Sequence, residues 1–109
     1  MLSGELYETL NLTREEALVH LLPESRVYAA HFPGHPVTPG VALVQTALEL
    51  LSELEGKPLE IKASKSIKFL IPVLPGAELR FRFAGEGEIR EVAVETDGDL
   101  CARMTLAVE

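Results

Sequence analysis

The sequence predicts an α+β fold, in which one long helix packs against an antiparallel sheet of five to six strands. Three observations lead to this prediction. One central stretch places apolar residues at helical spacing, the stretches around it alternate apolar and polar residues like strands, and short clusters of Pro, Gly and Asp separate them. At 109 residues the chain has the length of one domain, so residues 1–109 are expected to form a single domain.

The N-terminal part of the chain is predicted to contain strands. A polar corner that begins at Thr13 precedes the apolar run Ala17–Leu22, and a short extended piece is expected over Arg26–Ala30. A helix starting at Thr13 is the competing interpretation, because Thr13 and Glu16 fit a capping box. The apolar positions that indicate a first strand are Leu6, Leu10 and Leu12.

One long helix is predicted over Thr38–Glu55. Thr38 is a favourable N-cap residue, and Pro39 suits the first helical position because its ring presets the backbone. Gly56, followed by Pro58, ends the helix. The apolar residues that recur at helical spacing are Val44, Ala47, Leu48, Leu51 and Leu54.

The chain after the helix is predicted to be strand. Alternation indicates strands over Ile61–Ile71, Leu79–Phe83 and Ile89–Glu95, followed by a last strand that ends near Val108. Cys101 is expected to point outward, since the residues on either side of it belong to the inward face of the last strand. The turns that separate the strands are Pro75-Gly76, Gly85-Glu86-Gly87 and Thr96-Asp97-Gly98-Asp99.

Composition excludes several classes of function. Asp and Glu outnumber Lys and Arg by 17 to 10, giving a net charge of −7, so nucleic acid and anionic membranes are poor general partners. The apolar stretches are too short for a transmembrane helix, and the N-terminus does not resemble a secretory signal, so a cytoplasmic protein is expected. The single cysteine excludes an internal disulfide, and the residues around His31 and His35 do not indicate a metal site.

Residues 31–41 read HFPGHPVTPGV, whose Pro and Gly content excludes regular structure before the helix. This segment resembles the active-site signature of the 3-hydroxyacyl-acyl-carrier-protein dehydratases of fatty-acid synthesis, and residues 68–79, KFLIPVLPGAEL, resemble their strand and turn after the helix. The resemblance implies a hotdog fold, a long helix wrapped by an antiparallel sheet. It also implies a homodimer or higher homo-oligomer, an acyl carrier protein bearing an acyl thioester as partner, and no cofactor.

The resemblance assigns roles to residues of the loop and the helix start. His31 is expected to remove the C2 proton of a 3-hydroxyacyl thioester, because imidazole is matched to proton transfer near neutral pH. The backbone amide of Gly40 is expected to polarise the thioester carbonyl, since unpaired N–H groups at a helix start favour negative charge and glycine permits close approach. The motif residues expected to contact substrate are Phe32, Pro33, Gly34 and Val41.

The sequence departs from the family at the position of the catalytic acid. The dehydratases carry Glu, or Asp in a sister group, fourteen positions after the histidine, where this chain has Gln45, which cannot give a proton to a leaving hydroxide. Glu49 stands where they commonly carry Gln, one turn along the same helix face. Glu49 is therefore a possible catalytic carboxylate, acting directly or through a water; the alternative is that both residues belong to a solvated stripe. In the implied dimer, His31 of one subunit faces position 45 of the other.

Positive charge is concentrated in residues 57–82, which contain six basic and two acidic residues, while the rest of the chain sums to −11. Such a patch suits an acidic partner such as acyl carrier protein, and the alternative is an ordinary solvated strand face. The candidate docking residues are Lys62, Lys65 and Lys68. Two other functions stay open: an acyl thioesterase on the same fold, and a non-catalytic acyl-binding subunit of a dehydratase that lost its acid at Gln45.

Overall fold

The computed structural model describes residues 1–109. The elements in chain order are β1 (Tyr7–Leu12), β2 (Glu16–Leu21), α1 (Val27–Ala30), α2 (Gly40–Glu55), β3 (Ile61–Phe69), β4 (Glu78–Ala84), β5 (Ile89–Thr96) and β6 (Asp99–Val108). The six strands form one sheet in the order β1-β2-β4-β5-β6-β3, with every neighbouring pair antiparallel. The predicted α+β architecture is confirmed, and β1 and β3 are the two edges of the sheet.

The core lies between α2 and the inner face of the sheet. Buried apolar residues of α2 and of the strands belong to one continuous cluster. Burial of each aliphatic side chain contributes about 1.5–3 kcal/mol relative to exposure, so this layer is the main source of stability. Its largest fully buried members include Leu50 and Leu51 of α2, Leu79 and Phe81 of β4, and Leu106 of β6.

Two turns form as their sequences predict. Asp97 and Gly98 both have positive φ, 50° and 81°, which is the backbone of a two-residue Asp-Gly hairpin and joins β5 to β6. At the turn between β1 and β2, the amide of Glu16 donates to the Thr13 hydroxyl at 3.1 Å. The competing helix from Thr13 is therefore wrong, because the capping residue closes a hairpin instead.

The start of α2 differs from the prediction. The helix begins at Gly40, and Pro39, in extended conformation, supplies the carbonyl that accepts from the Ala42 amide at 3.0 Å. The Thr38 side chain does not cap the helix; its hydroxyl lies 2.8 Å from the buried hydroxyl of Tyr28. The physical reason is the contact with Tyr28, which holds the Thr38 side chain away from the helix end, while Pro39 takes the N-cap position with an extended backbone.

The prediction of extended chain over Arg26–Ala30 is wrong, since four of these residues form α1. The Ser25 carbonyl accepts from the Tyr28 amide, and the Arg26 carbonyl accepts from the Ala29 amide, both at 3.2 Å. The Glu5 carboxylate also accepts from the Arg26 amide at 2.8 Å. A carboxylate distant in sequence therefore holds this turn, which a local pattern cannot indicate.

Cys101 is buried and does not point outward as predicted. Val94 pairs with Ala102 while Glu95 pairs with Leu100, so Cys101 is an extra residue on β6. Such a bulge shifts the alternation of a strand, which is why Cys101 joins the core. None of the helices combines the length and the apolar character needed to cross a membrane.

Candidate active site

The loop between α1 and α2 contains His31, and backbone hydrogen bonds within the loop hold this residue in place. The Val37 amide donates to the His31 carbonyl at 2.8 Å, and Phe32 and His35 exchange two backbone hydrogen bonds, at 2.9 and 3.3 Å. Gly34 lies between them with φ of +80°, which glycine adopts without strain. The His31 ring meets the exposed Phe32 ring edge-on, with centroids 5.3 Å apart. The Pro-Gly composition of the motif thus produces a closed turn that fixes the histidine.

The helix that follows this loop begins with unpaired backbone donors. The first helical hydrogen bonds come from the amides of Ala42 and Leu43, which both donate to the Pro39 carbonyl. The amides of Gly40 and Val41 have no acceptor within the chain. Unpaired N–H groups at the N-terminus of a sixteen-residue helix favour a negatively charged oxygen.

Gly40 has a packing role that the sequence did not indicate. The ring of Phe69, at the end of β3, lies against its Cα, and a Cβ built there would lie 2.4 Å from Cζ of that ring. A cleft of about 270 Å³ surrounds this contact and is bordered by Thr38, Leu43 and residues 70–73. Within one chain, the space left by the missing side chain of Gly40 is therefore filled by the Phe69 ring.

The carboxylate of Glu49 is buried and accepts four hydrogen bonds. Its donors are the Leu2 amide at 2.8 Å, the Ser3 amide at 3.0 Å, the Tyr7 hydroxyl at 2.9 Å and Nε2 of Gln45 at 2.9 Å. Glu49 therefore anchors the N-terminal segment to α2. Sequence reasoning missed these donors, because no local pattern links the first seven residues to the helix.

These contacts determine the protonation of the pair formed by Glu49 and Tyr7. Burial by itself raises the pKa of Glu49, but the four donated hydrogen bonds outweigh it and lower the pKa below its ordinary value. Burial and the neighbouring Glu49 carboxylate raise the pKa of Tyr7. Near neutral pH, Glu49 is therefore a charged acceptor and Tyr7 a neutral donor.

Gln45 is oriented by Glu49. Because a carboxylate has no proton to donate, the NH₂ group of Gln45 faces Glu49, and Oε1 is the atom left to accept another hydrogen bond. Both residues border a cleft of about 710 Å³ that runs along α2 to Leu59. Neither Gln45 nor Glu49 forms a hydrogen bond with His31 within one chain.

The three lysines predicted to dock a partner all lie on β3. Lys62 lies 3.6 Å from the Glu88 carboxylate and, like Lys65, falls at a register shift of β3. Lys68 instead lies directly opposite Arg103 of β6. Residues 1–109 contain no group of three or more His, Cys, Asp or Glu side chains arranged to hold a metal ion.

Comparison with known protein families and sequences places the chain among dehydratases. Residues 10–104 match the ApeI-like family, described as ApeI dehydratase. The 3-hydroxyacyl-[acyl-carrier-protein] dehydratase FabZ of Syntrophobacter fumaroxidans is 38% identical over 80 residues, covering 64% of this chain and 54% of that protein. The FabZ of Granulibacter bethesdensis is 32% identical over 94 residues, covering 73% and 55%. The chain thus spans about half the length of these curated relatives.

Solved structures share the fold at low sequence identity. A chain of the dehydratase heterocomplex ApeI:P from Xenorhabdus doucetiae is 18% identical with a TM-score of 0.74, covering 97% of this chain and 98% of that one. An uncharacterized protein from Erwinia carotovora subsp. atroseptica is 19% identical with a TM-score of 0.76, covering 94% and 90%. The common architecture is the hotdog fold, as predicted.

Proposed function

The chain belongs to the ApeI-like dehydratase family, and from this membership we propose that it converts 3-hydroxyacyl thioesters on acyl carrier protein to trans-2-enoyl thioesters. The pathway is fatty-acid synthesis or a related lipid or polyene synthesis. One observation carries the proposal: the backbone-locked loop with His31 leads directly into the unpaired amides of Gly40 and Val41. A base and an oxyanion site are what removal of a proton beside a thioester carbonyl requires.

In the proposed reaction, His31 takes the C2 proton. Negative charge then develops on the thioester oxygen, where the Gly40 amide donates a hydrogen bond and the helix dipole adds a favourable field. The C3–O bond breaks, and the hydroxide leaves as water when it receives a proton. The substrate is held by the loop residues Phe32, Pro33 and Gly34 and by Val41.

The proton for the leaving group comes from His31 in this proposal. Glu49 is a poor source, because its pKa is lowered and both carboxylate oxygens already accept hydrogen bonds. Gln45 has no acidic proton, but its free Oε1 accepts from the 3-hydroxyl and orients it. The imidazolium formed at His31 then passes the C2 proton to the departing hydroxide. His31 thus acts as both base and acid, and water is the leaving product.

The proposed enzyme is a homodimer or higher homo-oligomer, in which His31 of one subunit works with Gln45 of another. β3 is an edge strand of the sheet. It ends at Phe69, and this residue and the two that follow it, Leu70 and Ile71, are exposed and apolar. An unpaired edge beside apolar side chains favours strand pairing with a second chain.

A second candidate function is supported by Gln45 and by the heterocomplex neighbour. The chain would then be a subunit whose distinct dehydratase-like partner supplies the carboxylate that position 45 lacks. Its own His31 would face that carboxylate, while the site containing Gln45 would be inactive.

Assay of the purified chain with 3-hydroxyacyl and acyl thioesters of carrier protein separates these candidates. Enoyl formation that His31→Ala abolishes and His35→Ala preserves supports the dehydratase, since both histidines lie in the same loop. Binding of carrier protein without turnover favours the partner subunit. Hydrolysis of acyl thioesters without elimination would contradict both.

A further inference from the structure

Two rungs between β3 and β6, separated by one rung, carry four side chains that can all donate hydrogen bonds. Lys68 lies directly opposite Arg103, and Ser66 lies directly opposite Thr105. The rung between them faces the apolar core, so these four side chains share the outer face of the sheet. We call Lys68, Arg103, Ser66 and Thr105 the donor cluster.

The donor cluster has no partner within the chain. The neighbouring cations on the same face are paired: Arg80 bonds to Glu16, and Arg82 bonds to Glu95 at 3.1 Å. None of the four cluster side chains forms an ion pair or a hydrogen bond in the structure. Like charges directly opposite on neighbouring strands are destabilising, so Lys68 and Arg103 repel each other, and neither forms an ion pair within the chain.

A shallow depression of about 330 Å³ lies over the donor cluster. Its floor includes Ala93, which lies in register between Arg82 and Arg103 and leaves room because its side chain is short. Three cationic side chains border the depression against one acidic one, Glu91, in a chain whose net charge is −7. The volume is in the range of small-ligand sites.

We propose that the donor cluster binds a phosphate ester group. Two cations match the charge of a phosphate monoester, and the Arg103 guanidinium offers a fork of donors suited to two phosphate oxygens. The Ser66 and Thr105 hydroxyls supply donors to the remaining oxygens. This site lies on the opposite face of the sheet from Gly40 and does not depend on the proposed function. Its natural ligand is either a free phosphorylated small molecule or a phosphodiester attached to a protein.

Titration of the full ¹⁵N-labelled chain at fixed ionic strength tests the proposal, with phenyl phosphate and dimethyl phosphate as separate probes. Amide shifts are expected to concentrate at residues 66–68 and 103–105. Tighter binding of phenyl phosphate assigns the site to a free monoester, and tighter binding of dimethyl phosphate assigns it to a protein-linked diester.

Variants make the test specific. Lys68→Gln and Arg103→Gln are each expected to weaken binding about tenfold or more, since each removes a charged donor. Glu91→Gln is expected to tighten binding because it removes the one acidic group of the depression. Lys65→Gln removes an exposed charge from the same strand outside the depression and should leave binding unchanged. Absence of localised shifts, or equal loss in Lys65→Gln and Lys68→Gln, would overturn the proposal.

Discussion

The side-chain amide of Gln45 donates from Nε2 to Oε2 of Glu49 at 2.9 Å, joining two positions one turn apart on α2. Compared with the dehydratases, the carboxylate and the amide have changed places on α2, and this bond gives them separate roles. Glu49 turns toward the N-terminal segment and is saturated with donors, whereas Gln45 keeps one free acceptor, Oε1. Gln45 can therefore accept a hydrogen bond through Oε1, in an orientation that Glu49 determines.

Gln45→Glu is expected to raise the rate of dehydration. The new carboxyl group would lie beside the charged Glu49, and two like charges at this separation favour retention of one proton. An acid would then stand at position 45 near neutral pH, and general acid assistance is worth about 10²–10⁴ in rate. Enoyl formation measured across neutral pH checks this. Gln45→Leu removes the same hydrogen bond without adding an acid and should not accelerate the reaction; equal rates in wild type and Gln45→Glu would contradict the expectation.

Glu49→Gln is expected to lower the free energy of unfolding by about 2–4 kcal/mol, because several buried donors lose a charged acceptor. Urea denaturation measures the change. Glu53→Gln, an exposed carboxylate one turn further along α2, is the matched control and should change stability little. Activity per folded molecule should survive in Glu49→Gln. Unchanged stability with lost activity would instead make Glu49 a participant in the chemistry.

Stability is expected to fall with acid through Glu49. Its pKa is lower in the folded chain than its ordinary value of 4.5, so its contribution is complete above that value and is lost as the pH falls through the folded pKa. Urea midpoints measured from neutral pH to well below 4.5 should therefore decline more steeply in wild type than in Glu49→Gln. Parallel declines in the two proteins would show that other carboxylates carry the effect.

Gly40→Ala is expected to destabilise the chain by about 1–3 kcal/mol through overpacking against the Phe69 ring. The test is a double-mutant cycle, because Phe69→Ala removes the ring that the new methyl group would meet. In that background, Gly40→Ala should be neutral or stabilising, since alanine favours a helix more than glycine does. Equal costs in both backgrounds would rule out Phe69 as the reason for the glycine.

The chain is expected to be at least a dimer at micromolar concentration, with light scattering giving about twice its mass of 11.9 kDa or more. Leu70→Glu places a charge at the apolar end of β3 and should shift the mass toward that of the monomer. Leu10→Glu is the matched control, because Leu10 is similarly exposed, 49% against 51%, but lies on β1 at the opposite edge. A monomeric wild type, or equal effects of both variants, would refute assembly through β3.

Local patterns predicted much of this molecule. The apolar spacing of α2, the alternation of β4 and β5 and the Asp97-Gly98 turn depend on neighbours within a few residues, and all appear in the structure. The resemblance of residues 31–41 to dehydratases is confirmed by the family match over residues 10–104. Identities of adjacent residues were sufficient for these features because backbone geometry is determined locally.

The failures share one cause. The start of α2 was predicted two residues early because the Thr38 hydroxyl meets Tyr28, and Cys101 was predicted outward because a bulge against β5 shifts its strand. Both depend on contacts between elements, which no local pattern contains.

The sequence by itself therefore determined the fold class, the family, the histidine loop and the absence of an acid at position 45. Only the tertiary structure decided what Glu49 does, because folding brings Leu2, Ser3 and Tyr7 to its carboxylate. It also decided why residue 40 is glycine, because folding places the Phe69 ring against its Cα. The protonation and packing of a side chain depend on groups that folding gathers from distant parts of the chain, so these roles become visible only once the chain has folded.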